Sequence, residues 1–189
     1  MLAGMLTIFS FIWWSVGIVS GKPDGRQIIT MQLTEKPLFR IDYDGQWLHD
    51  GAPIRRRELA KLFADKGLRI DESGRYWLQS PEEKYAVEVD DVPFLIIDYD
   101  INSPGEDQEI DLKTNMGHVL PLGPEHILEL RNEPRSGVRV PYIEVKKGLY
   151  ARLERAVFYN LIDHAQQDRG RIIIRSRKMD HCLGRLEES

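Results

Sequence analysis

Residues 45–94, GQWLHDGAPIRRRELAKLFADKGLRIDESGRYWLQSPEEKYAVEVDDVPF, decide the fold class, because a hairpin, a capped helix and several strands are packed into one short run. Leu59, Leu62 and Phe63 stand at i, i+3 and i+4, the apolar stripe of a helix of about three turns. Pro53 fixes the entering chain and Ile54 is placed to pack back on the first turn as a hydrophobic staple. Gly67 is expected to stop the helix in the left-handed conformation, with Leu68 touching Leu62 or Phe63. Arg55, Arg56 and Arg57 occupy the first turn, where the helix dipole already presents positive charge. Two compensations are open: Asp50 and Glu58 nearby, or the carboxylate or phosphate of a ligand. A nucleic-acid groove fits poorly, since the chain has a formal net charge of −4 and a pI of about 5.8.

On either side of this stretch the apolar pattern has period two. Phe39, Ile41 and Tyr43 alternate with Arg40 and Asp42, and Asp44-Gly45 turns the chain into a strand carrying Trp47. Leu68 to Ile70, the run with Tyr76 and Leu78, and Tyr85, Val87 and Val89 read as further strands, with a break at Ser80-Pro81. Phe94 to Tyr99 is more apolar and reads as a central strand. Asn102-Ser103-Pro104-Gly105 places four turn formers in a row and marks a boundary. Beyond it, strands are predicted at Ile110–Leu112, Ile127–Leu130, Val140–Val145 and Arg171–Arg175. Leu149, Leu153, Ala156, Val157 and Leu161 predict the longest helix.

The expected organisation is therefore an N-terminal extension over 1–30, a first α+β half over 38–101, a second over 106–176 and a tail over 177–189. The halves share an outline of strands, glycine turn, helix and returning strand. The tetrad Ile41-Asp42-Tyr43-Asp44 recurs as Ile97-Asp98-Tyr99-Asp100, but it leaves the two expected helices out of register and reads as coincidence or shared strand chemistry.

At 189 residues, with 42% hydrophobic and 30% charged, the chain is a globular protein able to bury a core. The single cysteine, Cys182, has no partner for an internal disulfide, which fits a reducing compartment. Residues 1–21 carry no charged side chain and as a helix are long enough to cross roughly 30 Å of hydrocarbon. They read as a signal anchor with Lys22 and Arg26 on the cytoplasmic side, as a cleaved signal peptide, or as an upstream extension with Met31 as the natural start. The expected location is cytoplasmic, or anchored in the inner membrane if residues 1–21 are retained.

Chemical motifs are few. Asp98 and Asp100 resemble an Asp-X-Asp cation pair, yet alternation on a strand puts both on one solvated face. His49, His118, His126, His164 and His181 have no metal-ligand spacing. Glu82-Glu83-Lys84 and Asp90-Asp91 surround one strand as an acid/base site would, or form salt-bridged turns. Arg152 and Arg155 either dress the outer face of the long helix or, for Arg155, look into a cleft. Tyr142 and Tyr159 read as packing residues with hydroxyls at the edge. There is no phosphate-binding glycine loop and no nucleophile elbow, so no cofactor is expected.

The ordered set Asp44-Gly45…Trp47…Gly51…Pro53-Ile54…Arg56…Leu59…Leu62-Phe63, then Ser80-Pro81-Glu82-Glu83-Lys84 and Val89-Asp90-Asp91-Val92-Pro93-Phe94, resembles the bacterial domain-of-unknown-function family 1285. Thr114-Asn115, Pro141-Tyr142-Ile143 and Gly148-Leu149-Tyr150-Ala151-Arg152…Arg155…Phe158-Tyr159 are similar to its second half. Ser80, Asp90 and Tyr150 depart from the usual threonine, glutamate and acidic residue. The resemblance implies an α+β fold of two related halves, the second like a pleckstrin-homology barrel, with a ligand cleft between them and a link to signalling. It points to Arg56, Glu83, Lys84, Asp91, Tyr142 and Arg155 as cleft residues. The leading expectation is a small-ligand-binding, regulatory protein whose cleft takes a nucleotide-like anion. The alternatives are a hydrolase or transferase with Glu83 or Asp91 as general base, and a protein-interaction module without a small ligand.

Overall fold

Residues 37–103, 105 and 107–186 are described by the structure, a computed structural model; the N-terminal readings of residues 1–30 lie outside them. The first lobe contains β1 (Phe39–Ile41), β2 (Trp47–His49), β3 (Ala52–Pro53), helix α1 (Arg57–Leu62) continuing into a π-helical turn (Phe63–Gly67), β4 (Leu68–Ile70), β5 (Tyr76–Gln79) and β6 (Lys84–Val89). The second contains β7 (Phe94–Asn102), β8 (Glu109–Thr114), β9 (Val119–Pro121), β10 (Leu128–Asn132), β11 (Arg139–Lys146), β12 (Leu149–Leu153) and helix α2 (Arg155–Ile162). A closing sheet follows, made of β13 (Gln166–Asp168), β14 (Arg171–Ser176) and β15 (Met179–Arg185).

Each lobe is a six-stranded sheet, and the two orders are the same. The first runs β3-β2-β1-β6-β5-β4; the second, read from its far edge, runs β9-β8-β7-β12-β11-β10. In both, the first and last strands of the lobe pair in parallel at the centre, and every other pairing is antiparallel. The expected α+β fold of two related halves is therefore present, although the helix comes between the third and fourth strands in one lobe and after the sixth in the other. Phe39 and Ile41 of β1 occupy the places of Phe94 and Ile96 of β7 in the parallel registers, Phe39 facing Val87 and Phe94 facing Ala151. The repeated tetrads do not correspond: Ile41 ends β1 and Asp42 to Asp44 form the turn after it, whereas Ile97 to Asp100 lie within β7, where a bulge between Ile96 and Asp98 leaves Ile97 out of the ladder.

The first core is aromatic. Phe63 leaves the helical stretch to meet Phe39 edge-on at 5.7 Å and Trp47 at 5.9 Å between ring centroids, above Ile41, Leu68, Leu78 and Val87. The expected left-handed stop at Gly67 does not form. Its φ is not positive, and the helix ends instead by widening into the π-helical turn, with the Leu68 N–H bonded to the Phe63 carbonyl. Glycine is needed at position 67 for space, because a Cβ there would come within 2.5 Å of Leu78 Cδ1. The second sheet curls around Leu112, Leu120, Ile143, Leu153, Val157 and Leu161. Ser176, fully buried on β14, fastens the closing sheet to it: its Oγ donates to the Leu122 carbonyl at 2.7 Å and accepts the Ile110 N–H at 3.0 Å.

Three further expectations are corrected. Leu149 to Leu153 is not the start of the longest helix but strand β12, with the helix confined to Arg155–Ile162. The predicted tail after residue 176 contains β15, which inserts Leu183 into the core. The turn at residues 102–105 lies inside the β7–β8 hairpin rather than between the lobes; the passage from one sheet to the other is Asp90 to Pro93, and Val92 and Pro93 are buried. Among the described residues, no helix is long and apolar enough to cross a membrane.

Candidate functional site

The linker places Asp91 where the two lobes meet, and the second lobe closes on it. Tyr142 of β11 donates its hydroxyl to both carboxylate oxygens, at 3.0 and 3.1 Å. Arg152 of β12 forms a salt bridge to Asp91, and its other Nη donates to the Tyr43 carbonyl of the first lobe at 3.0 Å. The side chains of Arg152 and Asp91 are only 6% and 7% exposed, so this ion pair is removed from water. Burial first, then the charge of Asp91 and the hydrogen bond to it, push the Tyr142 phenol far above its ordinary value. Tyr142 is therefore a fixed donor.

Around this pair the cations are stacked on rings. The guanidinium carbons of Arg135 and Arg152 lie 3.6 and 3.7 Å from the centroid of the Tyr43 ring. Two planar groups that close cannot share one face, so Tyr43 is sandwiched between two arginines of the other lobe. Arg131 sits 3.6 Å over Tyr150 and 5.9 Å from the Tyr142 ring. Tyr76 lies close enough to Asp91 that burial and that charge raise its phenol. Arg135 is exposed, and among the described residues no carboxylate pairs with it. The junction thus combines two paired carboxylates, Asp91 with Arg152 and Glu129 with Arg131, the unpaired Arg135 and a set of tyrosines.

The seam continues away from this cluster. Asn115 accepts the N–H of Leu95 on its side-chain oxygen and points its amide nitrogen at the Gly45 carbonyl, 3.4 Å away, while Arg57 donates to the Asn115 carbonyl at 3.0 Å. Next along it, Nε2 of His118 lies 2.7 Å from Asp65 Oδ1. Lys146 caps the end of the π-helical turn, donating to the carbonyls of Ala64 and Asp65 at 3.3 and 3.1 Å. Burial outweighs Asp65 and, helped by Lys146 and Lys61, holds the His118 imidazole below its usual value.

Of the expected cleft residues, the structure brings together Asp91 and Tyr142. Arg155 is exposed at the start of α2, and the buried cation is Arg152 instead. Arg56 is exposed before α1, and neither Asp50 nor Glu58 forms an ion pair with Arg55, Arg56 or Arg57 among the described residues. Glu83 turns the chain with Ser80, its N–H bonded to Ser80 Oγ at 3.0 Å; Lys84 lies 4.2 Å over the Trp77 ring. Asp98 and Asp100 lie on one exposed face and hold Lys113 between them. Among the described residues, no cluster of histidine, cysteine and carboxylate groups is arranged to hold a metal. Arg135 is not singled out by the sequence, Tyr43 reads there only as a strand residue, and Arg152 only as dressing the outer face of the long helix. The available signal was the apolar run Leu149–Leu153, in which a lone arginine demands a buried counter-charge.

Two family profiles cover the described lobes: the N-terminal domain of DUF1285, a domain of unknown function, matches residues 32–92, and its C-terminal domain matches residues 93–183. The division falls at the linker that carries Asp91. A solved DUF1285 family protein from Silicibacter pomeroyi is similar, with 30% identity and a TM-score of 0.71 over 79% of this chain and 80% of that one. One from Shewanella baltica has 28% identity and a TM-score of 0.52 over 67% of this chain and 91% of the other. No curated protein matches. With both domain profiles matched end to end and the same architecture in a crystallised relative, the chain belongs to the DUF1285 family.

Proposed function

We propose that this is a small-ligand-binding, regulatory protein of the cytoplasm, and that it takes an anionic, nucleotide-like molecule at the junction of its lobes. The observation that carries this reading is Arg135: an exposed guanidinium, lying flat on Tyr43 with no carboxylate partner among the described residues, beside a buried ion pair that ties the lobes together. A planar donor fork held on an aromatic face suits a phosphate or carboxylate. Arg131 on Tyr150 is a second guanidinium of the same hairpin, bonded to Glu129 at 2.6 Å, and the anion would take the place of that carboxylate. Because Tyr43 belongs to one lobe and both its arginines to the other, an anion that drew on Arg135 would alter the grip between lobes. That is the basis for calling the protein regulatory.

The test is thermal-shift and calorimetric titration with nucleoside di- and triphosphates. A ligand at a hundred times its Kd stabilises by about 2.7 kcal/mol, a shift of several degrees in Tm. Arg135→Ala and Arg131→Ala are expected to abolish it, and Arg155→Ala, outside the cluster, to leave it intact. The reading fails if no such anion shifts the Tm, or if loss follows Arg155→Ala and not Arg135→Ala.

A further inference from the structure

A second surface on the first lobe has a charge opposite to that of the chain. From position 55 to 69, Arg55, Arg56, Arg57, Lys61, Lys66 and Arg69 face only Glu58 and Asp65, so this segment carries +4 in a chain of −4 and the remainder carries −8. All six cationic side chains are exposed, and among the described residues none is in an ion pair. Arg57 and Arg69 donate to backbone carbonyls, which leaves their charge unopposed. Asp65 is already engaged, with His118 at 2.7 Å and Lys146 at 4.0 Å. The second lobe extends the surface with Lys146 and the exposed Lys147, since the turn at Gly148 packs on Ile70. Lys66 and Arg69 both act on the Lys146 amine, and Lys61 acts on His118, so these groups lie within one another's fields.

We propose that this band is a docking surface for an acidic segment of a partner protein. Helix α1 and the π-helical turn together run roughly 15 Å, too long for one phosphate group and about the length of four or five extended acidic residues. The remainder carries a net −8, so outside the band and the Arg135 junction the field opposes polyanions and steers a short acidic segment to the band. A nucleic-acid strand would run past the band onto that remainder, and the band's one aromatic residue, Phe63, is buried rather than offered for base stacking. A lipid surface would be met without an exposed large apolar side chain among residues 55–69. This surface is separate from the Arg135 site, so either can fail alone.

Fluorescence anisotropy of a labelled Asp/Glu peptide with the full chain tests the proposal, with a Gln/Asn peptide, a single-stranded RNA and vesicles of phosphatidylglycerol as competing arms. The acidic peptide is expected to bind and to weaken with salt. Arg56→Glu combined with Lys66→Glu is expected to lower its affinity about tenfold or more, while Arg155→Glu leaves it unchanged. Arg55→Gln combined with Lys61→Gln serves as a milder pair if the first lowers the Tm. The proposal is overturned if the acidic peptide binds no better than the neutral one, if Arg155→Glu weakens it equally, or if RNA or vesicles bind more tightly.

Discussion

Replacing Asp91 by asparagine keeps the shape of the linker and removes the charge that balances Arg152. The Arg152 side chain is 6% exposed, so the guanidinium cannot recover solvation by turning outward. Stripping one partner from a buried pair costs about 3–5 kcal/mol, because the other charge stays buried. For a folded region of this size, at about 2–4 °C per kcal/mol, the Tm is expected to fall by roughly 10 °C or more. Removing both partners is a different experiment. Asp91→Leu with Arg152→Met deletes the desolvation cost along with the attraction, leaving the Tyr43 carbonyl and the buried Tyr142 hydroxyl without their partners, about 2 kcal/mol together. Urea denaturation of the wild type, Asp91→Leu, Arg152→Met and the double variant closes a mutant cycle; with each single costing about 3–5 kcal/mol and the double about 2, the expected coupling is about 4–8 kcal/mol. If Asp91→Asn costs less than about 1 kcal/mol, or the double variant is no more stable than the sum of the singles predicts, the linker carboxylate is not what binds the lobes.

His181 is 1% exposed, both its ring nitrogens lack a partner among the described residues, and burial holds it below its usual 6.5, with Asp180 acting the other way. The unfolded chain takes up a proton near 6.5 and the folded chain does not. This contribution is thus complete above that pH and is lost as the pH falls below it. Tm measured between about pH 8 and pH 5 should decline in the wild type and decline less in His181→Leu; equal slopes would sink the assignment. At Gly148, φ is +75° and a Cβ would lie 2.6 Å from Ile70 Cγ2, whereas Gly170 has φ of +74° with nothing among the described residues within 4 Å of a Cβ there. Gly170→Ala should cost about 1 kcal/mol of backbone strain and Gly148→Ala about 1–3 kcal/mol more, so equal urea midpoints would show that the lobes do not touch there.

The strands were legible where alternation and turn chemistry agreed. Phe39 to Tyr43, the Asp44-Gly45 turn with Gly45 at φ +72°, and Trp47 all fall as expected. The second helix was overextended because a strand covered on both faces loses its period of two. Leu149, Ala151, Arg152 and Leu153 are all buried, and with Val157 and Leu161 they mimic a helical stripe. That misreading moved the buried cation from Arg152 to Arg155. β15 was hidden because its hairpin turns on Arg177 and Lys178, at φ +49° and +62°, without the Asn-Gly or Asp-Gly that usually marks such a turn. Asp91 and Tyr142 were found through their place in the family motif, and Tyr43 was passed over because its partners come from residues far along the chain.

Since the first and last strands of each repeat run side by side in the same direction, the chain enters each repeat at one end of that central pair and leaves it at the other. A copy appended after the last strand therefore starts clear of its predecessor, and tandem gene duplication yields two stackable units without any rethreading. The same geometry delays closure during synthesis: the middle of the leading unit stays open until Val87 and its neighbours have left the ribosome to meet Phe39.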